Sequence, residues 1–423
     1  MSGSVDTVRP SARFVRALVV IAVFGFVLRI AYIEIATGAI GGDGRYYHSI
    51  ASLLADGKGF IAPKPYLLQH QVILSAPHPP AWPLVLAGAA LLGLRTVFEQ
   101  QVIACLIGTA TVVTIGFAGR RIAGGLAGLA AAGIAAVYPN FWLYERELMS
   151  ETLTFFGAAL MVLLAYRFRD RPTRGRALAL GFSCGFLAII HAEQLLLVGI
   201  LLLPVIFLAR ETPIRRRYEW AAMAVAAAAI VILPWAAYNS ARFHSPVLLG
   251  NQFGVTVAIS NCPPVYSGKL IGFQDITCKA TATETGKITG NDEVTRDNQY
   301  LDVGSQYARD HLSRVPVVVL AREARAWGLM PSQLRLDTGR NTSLRIIELG
   351  FAFYWILVPL AIAGAVMLRR RRVMELPLMA LFVSVTVGVA LTYGFTRFRA
   401  AAEVAIVLLA AVTVDAVVRW LTS

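Results

Sequence analysis

Charged side chains are scarce in this chain, and their scarcity excludes most classes of soluble protein. Only 15% of its 423 residues are Asp, Glu, Lys or Arg, whereas 57% are hydrophobic, and the mean hydropathy is +0.63. Charged residues make up about 25% of an ordinary globular domain, and disordered segments are far poorer in hydrophobic residues. The composition therefore predicts a polytopic membrane protein.

The basic residues that are present give a net charge of +14, but their placement argues against a nucleic-acid-binding protein. They form short runs beside apolar segments, at 119–124, 167–176, 210–219 and 368–372. Lys and Arg accumulate in this way in the cytoplasmic loops of membrane proteins. The runs therefore predict the orientation of the chain in a membrane rather than a nucleic-acid partner.

Eleven apolar segments have the length of membrane helices or of parts of them. They lie at 14–35, 80–95, 98–118, 122–138, 148–166, 177–191, 193–209, 219–238, 348–368, 376–393 and 400–420. If the basic runs are all cytoplasmic, one segment is in excess, and we expect 80–95, which begins with prolines, to be a half-helix at the outer face. About ten crossings remain, with both termini cytoplasmic, in agreement with Arg9, Arg13 and Arg16. No small-residue cleavage site follows the first segment cleanly, so we do not interpret it as a cleaved signal peptide.

This topology predicts an all-α polytopic membrane protein in three parts. Residues 1–238 form a transmembrane module whose first outer loop, 36–97, contains juxtamembrane helices. Residues 239–347 form a small extracytoplasmic subdomain, and residues 348–423 form the C-terminal transmembrane helices. A further outer turn is expected near 139–147.

The polar segment 239–347 contains two of only four cysteines in the chain, Cys262 and Cys278. Outside the cytoplasm they are expected to form a disulfide, whereas in a reducing compartment they would be two free thiols. Helical patterns within the segment cover 292–312 and 315–328.

Ionisable residues are almost absent from the middles of the apolar segments. A transporter of lipid-linked glycans, the main alternative function, would place polar residues near the bilayer midplane and at broken helices. His191 and Glu193 come closest to that description, but they fall at a predicted outer turn. The distribution therefore favours a site at the extracytoplasmic face of the membrane, where four polar clusters are expected.

The first cluster is GGDGRYYHSIA at 41–51, and its Asp43 has two interpretations. As a general base, the carboxylate would take a proton from an attacking hydroxyl, and the flanking glycines would let the backbone approach a substrate. As an N-cap, it would only begin an amphipathic helix, because Tyr47, Ile50 and Leu54 recur at helical spacing. Spacing alone leaves both interpretations open.

Two more clusters lie further along the chain. His78, held in an extended segment by the two prolines that follow it, would contact a phosphate or would be a solvated loop residue. Glu147 and Glu151 are spaced i, i+4 on one helix face beside Arg146. They would bind a substrate, or they would simply suit the start of a helix.

The fourth cluster is TYGFTRFRAAAE at 392–403, between the last two spans. Arg397 and Arg399 on an outer loop run against the bias of basic residues towards the cytoplasm. A bound lipid phosphate would explain them, because a guanidinium binds phosphate bidentately. Snorkelling towards lipid headgroups is the alternative.

The order of these motifs resembles the GT-C glycosyltransferases of the protein O-mannosyltransferase and lipid A aminoarabinose transferase type, glycosyltransferase family 39. The resemblance consists of an acidic first outer loop, a Pro-Pro half-helix, YERELMSE, a His-Ala-Glu turn, LPWAAYN and a late RFR. It covers about residues 14–250 well and 385–420 loosely. The segment 239–347, with its paired cysteines and REARAWGL, also resembles that of actinobacterial members.

This resemblance implies transfer of a hexose or pentose from a polyprenyl phosphate to a hydroxyl of a protein, lipid or cell-wall glycan, at the extracytoplasmic face of the plasma membrane. Matched by motif, Asp43 is the base, and His78, Arg397 and Arg399 bind the donor phosphate. The expected substrate-binding residues are Tyr46, Tyr47, Arg146, Glu147 and Glu151.

The chain departs from the family at two positions. Many members carry a second acid where this chain has Gly44, so a metal site of two carboxylates is not predicted on this loop. The turn His191-Ala192-Glu193 replaces the usual RPE or KGP, and no role is predicted for His191. The expected mechanism is a single inverting displacement without a cofactor, although Mg²⁺ or Mn²⁺ bound by Asp43, Glu151 and donor oxygens is left open.

Overall fold

The computed structural model describes residues 10–36, 38–330 and 344–422, and in these residues it is almost entirely helical. Their β-pairing amounts to one isolated antiparallel bridge between Ile61 and Leu74. The predicted all-α class is therefore confirmed. Arg9 and the part of the predicted outer segment at 331–343 lie outside the described residues.

Among the described residues, six helices are long and apolar enough to cross a membrane without help from a neighbouring helix. They are α1 (Ala12–Ile35), α5 (Val97–Ala123), α8 (Glu151–Asp170), α11 (Ile214–Phe243), α16 (Leu344–Arg370) and α18 (Ala400–Leu421). Shorter helices cover the other predicted segments. They are α4 (Ala81–Leu91), α6 (Gly125–Val137), α9 (Arg174–Ala188), α10 (Leu203–Phe207) and α17 (Leu376–Leu391).

All but one of the remaining α-helices described lie in the two predicted outer regions. Those of the first outer loop are α2 (Gly42–Ala55) and α3 (Pro63–Gln69), beside the half-helix α4. Those of the second region are α12 (Phe253–Ser260), α13 (Thr277–Glu284), α14 (Glu293–Asp310) and α15 (Val315–Ala326). The last two coincide with the helices predicted from the sequence at 292–312 and 315–328.

The segment near 139–147 is a helix, α7 (Pro139–Arg146), and not the turn expected there. It is bent by 44° from α6, and the two helices together are long and apolar enough to form one bent membrane span. Pro139 is the first residue of α7, where its fixed φ is suited to a helix and its missing N–H costs nothing. The apolar sequence therefore continues past a proline that redirects the chain.

The predicted span 193–209 is helical but irregular. It consists of a 3₁₀ turn (Ala192–Leu195), a π-helical turn (Val198–Leu202) and α10. Pro204 lies near the start of α10 and cannot donate a backbone hydrogen bond, so a regular α-helical ladder cannot continue through this position.

The helix α18 forms the centre of the bundle. Of its most apolar 18-residue stretch, 78% is buried, compared with 28% for α1 and for α16. It packs against α6, α8, α16 and α17. Its sequence alternates alanines with larger apolar residues, and small side chains let neighbouring helices approach closely.

The outer segment is attached to the bundle mainly through α15. Arg322 donates hydrogen bonds to the carbonyl oxygens of Ala390, at the end of α17, and Ser260, at the end of α12, both at 2.7 Å. Cys262 and Cys278 form a disulfide in the same segment. These links hold α12 against the end of the bundle where the polar clusters lie.

Candidate functional site

In the described part of the chain, a partly open cavity of about 210 Å³ brings together residues from most of the polar clusters. It lies at the end of the bundle where α8 begins with Glu151, whereas Arg167 and Arg169 occupy the last turn of that helix. The cavity is therefore at the opposite end of the spans from the basic run at 167–176. The residues that line it share no single helix and come from seven stretches of the chain: 43–47, 77–79, 150–151, 190–193, 250–256, 385–393 and 397–398.

Asp43 lies in the first turn of α2, but it does not cap the helix. The N-cap position is Gly41, and no side chain caps this terminus. Asp43 Oδ2 instead accepts a hydrogen bond of 2.7 Å from Arg397 Nη1 in the cavity wall. The capping interpretation is therefore wrong, and the carboxylate, 32% exposed, is directed to the cavity.

Arg397 lies between two carboxylates of the cavity. Besides Asp43, its Nε atom is 3.7 Å from Glu151 Oε1, beyond hydrogen-bonding distance. Among the described residues, Arg397 Nε and Glu151 Oε2 are buried and have no hydrogen-bond partner. A buried donor without a partner is costly, so the site has an unused N–H for a ligand oxygen.

The Arg397 guanidinium determines the acidity of Asp43. Burial alone would raise the pKa of this carboxyl, but the Arg397 guanidinium lowers its pKa to about 2. Asp43 is therefore ionised at every physiological pH, and in its resting ion pair it is a weak proton acceptor.

His78 packs its ring against the rings of Tyr46 and Tyr47, each with centroids 5.2 Å away. Burial lowers the pKa of His78, and the Asp43 carboxylate only partly opposes this effect. The imidazole is therefore neutral near pH 7 and can still donate one N–H to a ligand.

His191, to which the sequence analysis assigned no role, lines the same cavity. Its Nδ1 is 3.3 Å from Glu193 Oε1, and its Nε2 is 3.1 Å from the hydroxyl of Ser150. That hydroxyl is 3.4 Å from the hydroxyl of Tyr47. Burial opposes the charged imidazole, yet the Glu193 carboxylate raises the pKa of His191 overall. The site thus contains one histidine with a lowered pKa and one with a raised pKa.

Four predicted site residues lie outside the cavity wall. Arg399 is buried, and its Nε donates a hydrogen bond of 2.6 Å to Glu403, so its guanidinium belongs to an ion pair inside the bundle. Arg146 is bonded to Glu147 and to the carbonyl oxygen of Gly38, at 2.7 Å. Tyr46 does not line the cavity, but its ring packs against the rings of Tyr47 and His78, which do.

The outer segment supplies cavity residues that sequence reasoning missed. Gly250, Gln252, Phe253 and Thr256 form one wall. None of them is charged or belongs to a recognisable motif. The signal that could have found them is their position in the polar segment that follows the LPWAAYN motif.

The carboxylates considered for a divalent ion are not arranged as a metal site. Mg²⁺ and Mn²⁺ require several oxygen ligands, but here Arg397 lies between Asp43 and Glu151 and balances their charge. Across 10–36, 38–330 and 344–422, no group of three or more His, Cys, Asp or Glu side chains could hold a metal ion. These residues do not fit a divalent ion unless the guanidinium moves away.

In sequence, residues 77–238 match the family described as dolichyl-phosphate-mannose-protein mannosyltransferase. The match includes His78, Glu151 and His191, whereas Asp43 and Arg397 lie outside it. No curated protein matches the chain.

In structure, the chain is similar to the oligosaccharyltransferase AglB from the archaeon Archaeoglobus fulgidus. The complex of AglB with an inhibitory peptide and a dolichol-phosphate has a TM-score of 0.55 and 14% identity, over 97% of this chain and 51% of AglB. The apo form has a TM-score of 0.55 and 16% identity, over 96% and 51%. This chain therefore spans about half the length of AglB. ArnT from Cupriavidus metallidurans bound to undecaprenyl phosphate has a TM-score of 0.42 and 15% identity, over 96% and 78%. The similarity to AglB shows the fold.

Proposed function

We propose that the chain is a member of the GT-C superfamily, and that it is a membrane glycosyltransferase that moves a sugar from a polyprenyl phosphate to an acceptor hydroxyl. This proposal rests mainly on one observation: Arg397 lines the cavity, and the N–H of its Nε atom has no hydrogen-bond partner. A phosphate oxygen is the ligand that suits this group best. The solved AglB complex contains dolichol-phosphate, which supports a donor of the same chemical class.

The reaction requires a base for the acceptor and positive charge for the leaving group. The acceptor oxygen forms a bond to the anomeric carbon while its proton passes to Asp43. The bond from that carbon to the phosphate oxygen breaks, and its electron pair stays on the polyprenyl phosphate. Arg397 stabilises the charge that develops there, and the neutral His78 donates a hydrogen bond. Glu151 and Tyr47 position the sugar or the acceptor.

The resting ion pair explains how one site holds both a base and a cation. While Arg397 is bonded to Asp43, the pKa of the carboxyl is too low for efficient proton abstraction. A donor phosphate competes for the guanidinium and weakens this bond. The pKa of Asp43 then rises when a substrate is present to use it. Acceptor activation is therefore coupled to donor binding.

The cavity is proposed to open on the extracytoplasmic side, because it lies opposite the basic run at the far end of α8. Its volume accommodates the sugar and phosphate of a donor but not the lipid chain, which would remain in the bilayer.

A transfer assay tests the proposal. The purified chain in lipid nanodiscs is incubated with farnesyl phosphates that carry mannose, glucose, galactose or arabinose and with acceptors of the protein, lipid and glycan classes. We expect a glycoside product by mass and inversion at the anomeric carbon. Retention would contradict the single displacement, and the absence of transfer from every donor would contradict the function itself.

A further inference from the structure

The cavity wall formed by the outer segment contains two neighbouring residues that the proposed transfer step does not use. Gln252 and Phe253 lie at the start of α12, and both line the cavity. Phe253 is a large aromatic residue with 51% of its surface exposed. An aromatic face beside a few placed polar groups is a common composition for a small-molecule site.

The side chain of Gln252 has an unused hydrogen-bonding atom. Within the described part of the chain, its Oε1 atom is buried and accepts no hydrogen bond. An amide oxygen in this state is destabilising unless a ligand donates to it. A sugar hydroxyl is a donor of the right kind, and it carries no charge that would need compensation.

The backbone at this position is held firmly. The carbonyl oxygen of Gln252 accepts hydrogen bonds from the backbone N–H of Thr256, at 3.0 Å, and from its hydroxyl, at 2.8 Å. The N–H groups of Gly254 and Val255, which follow Phe253, donate to the carboxylate of Asp297 at 3.0 and 2.8 Å. The amide is thus presented from a pre-organised turn, as a recognition residue should be.

This wall adjoins the place proposed for the donor phosphate. The backbone N–H of Asn251 donates to the carbonyl oxygen of Ala76 at 2.8 Å, two residues before His78. The sugar is bonded directly to that phosphate. It is therefore the part of the substrates that is expected to lie nearest to this wall. The geometry therefore favours the sugar as the partner of Gln252.

We propose that Gln252 reads a hydroxyl group of the transferred sugar while Phe253 packs against the sugar ring, so that the outer segment selects the donor. The ligand class is a polyprenyl-phosphate monosaccharide with free ring hydroxyls. This inference rests on the proposed function. It assigns the segment a part in specificity, whereas the base and the phosphate cation come from Asp43 and Arg397.

The test compares donors that differ by a single hydroxyl. The full chain in nanodiscs is assayed with the best farnesyl-phosphate sugar of the panel and with its monodeoxy analogues, in the wild type and in Gln252→Leu. We expect the wild type to prefer the complete sugar over one analogue by at least about tenfold in kcat/KM. In Gln252→Leu this ratio should fall to about one, because the complete sugar loses a bond that the analogue never made.

The ratio is independent of the fraction of folded enzyme, so a loss of stability cannot imitate the effect. An unchanged ratio in Gln252→Leu, or equal use of every analogue by the wild type, would overturn the inference while leaving the function standing. If the wild type uses no donor of the panel, the proposed function fails first.

Two further variants define the contribution of each group. Phe253→Leu should raise KM for the complete and the deoxy donor alike, with the ratio preserved, because a ring face does not distinguish one hydroxyl. An unchanged KM would overturn its part of the proposal. Gln306→Ala removes an exposed amide on α14 of the same segment and should leave every parameter as in the wild type.

Discussion

Arg397 and Arg399 come from one RFR motif, but they lie in different environments. Arg397 lines the cavity and pairs with Asp43, and the two side chains are 21% and 32% exposed. Arg399 pairs with Glu403, each is only 3% exposed, and the guanidinium lies 3.8 Å from the ring centre of Tyr354. A pair at a cavity can exchange one partner for a ligand, whereas a sealed pair cannot, because either charge would be left without compensation. The first arginine is therefore expected to serve the reaction and the second the fold.

The largest effect is expected from Asp43→Asn, which removes the proposed base. General-base groups contribute about 10²- to 10⁴-fold to rates, and we expect kcat to fall by this factor. The melting temperature should fall modestly, because the ion pair is lost while the amide oxygen can still accept a hydrogen bond from Arg397. Steady-state transfer and thermal unfolding measure the two quantities.

Asp56→Asn is the matched control for that variant. Asp56 ends the same helix and is bonded to Arg95 at the surface, away from the cavity. Its replacement should leave kcat unchanged. Equal losses in the two variants would mean that the charge of α2, and not a base, controls the rate.

The sealed pair should give the next largest effect, on stability and not on turnover. Glu403→Leu leaves the Arg399 charge buried without its partner, and we expect the free energy of unfolding to fall by about 3–5 kcal/mol. The double variant Arg399→Met, Glu403→Leu should recover most of this loss, since apolar replacement of a buried pair is often neutral. Denaturant unfolding in detergent measures both. A stable Glu403→Leu protein with impaired turnover would assign Arg399 to the site instead.

Arg397→Met is expected to lower kcat/KM for the donor by about 10²- to 10³-fold, because it removes the charge that stabilises the leaving phosphate. Arg397→Lys should lose less, since it keeps the charge without the planar fork of donors. The ion pair with Asp43 is open, so stability should change far less than in Glu403→Leu. A loss in stability as large as that of Glu403→Leu would remove the difference between the two arginines.

The smallest effect is a shift in pH dependence. Burial raises the pKa of Asp43, and Arg397 more than reverses this, from the usual 3.8 to about 2. The base must be ionised, so activity falls as the pH drops through its pKa. Removing the cation in Arg397→Met should raise that pKa and move the acidic limb of kcat/KM to higher pH. Coincident limbs in the two proteins would contradict the ion pair.

The lowered pKa of Asp43 also makes the stability of the folded protein depend on pH. The folded protein holds the Asp43 proton less tightly than the unfolded chain does. This carboxyl therefore stabilises the fold above about pH 4, and its contribution is lost as the pH falls through about 2. Arg397→Met should abolish this part of the acid sensitivity.

The fold was predictable from the sequence where one local rule is decisive. Apolar runs of sufficient length must be helices in a membrane, and the helices α14 and α15 follow from amphipathic spacing. The bend at Pro139 was not predicted, because an apolar run is equally compatible with a straight and a redirected helix. The irregular helix at 192–207 escaped for the same reason.

For the candidate site, charge and motif were sufficient to single out Asp43, His78 and Arg397, which line one cavity. They could not separate Arg397 from Arg399, since which arginine meets the cavity depends on how α18 is packed. Gln252 could not be predicted as a site residue for a different reason. Its amide has no charge, and it stands out only because its buried oxygen lacks a hydrogen-bond partner in the structure.

The central position of α18 affects how the protein is made. The ribosome releases the chain from its N-terminus, so the helix around which the bundle packs is the last of the described helices to be synthesised. The charge of Asp43 is compensated by Arg397 only after a further 354 residues have been synthesised. The helices that pack around α18 are therefore synthesised before the helix that they surround. A chain interrupted before α18 would retain most of its membrane helices and still have an incomplete site.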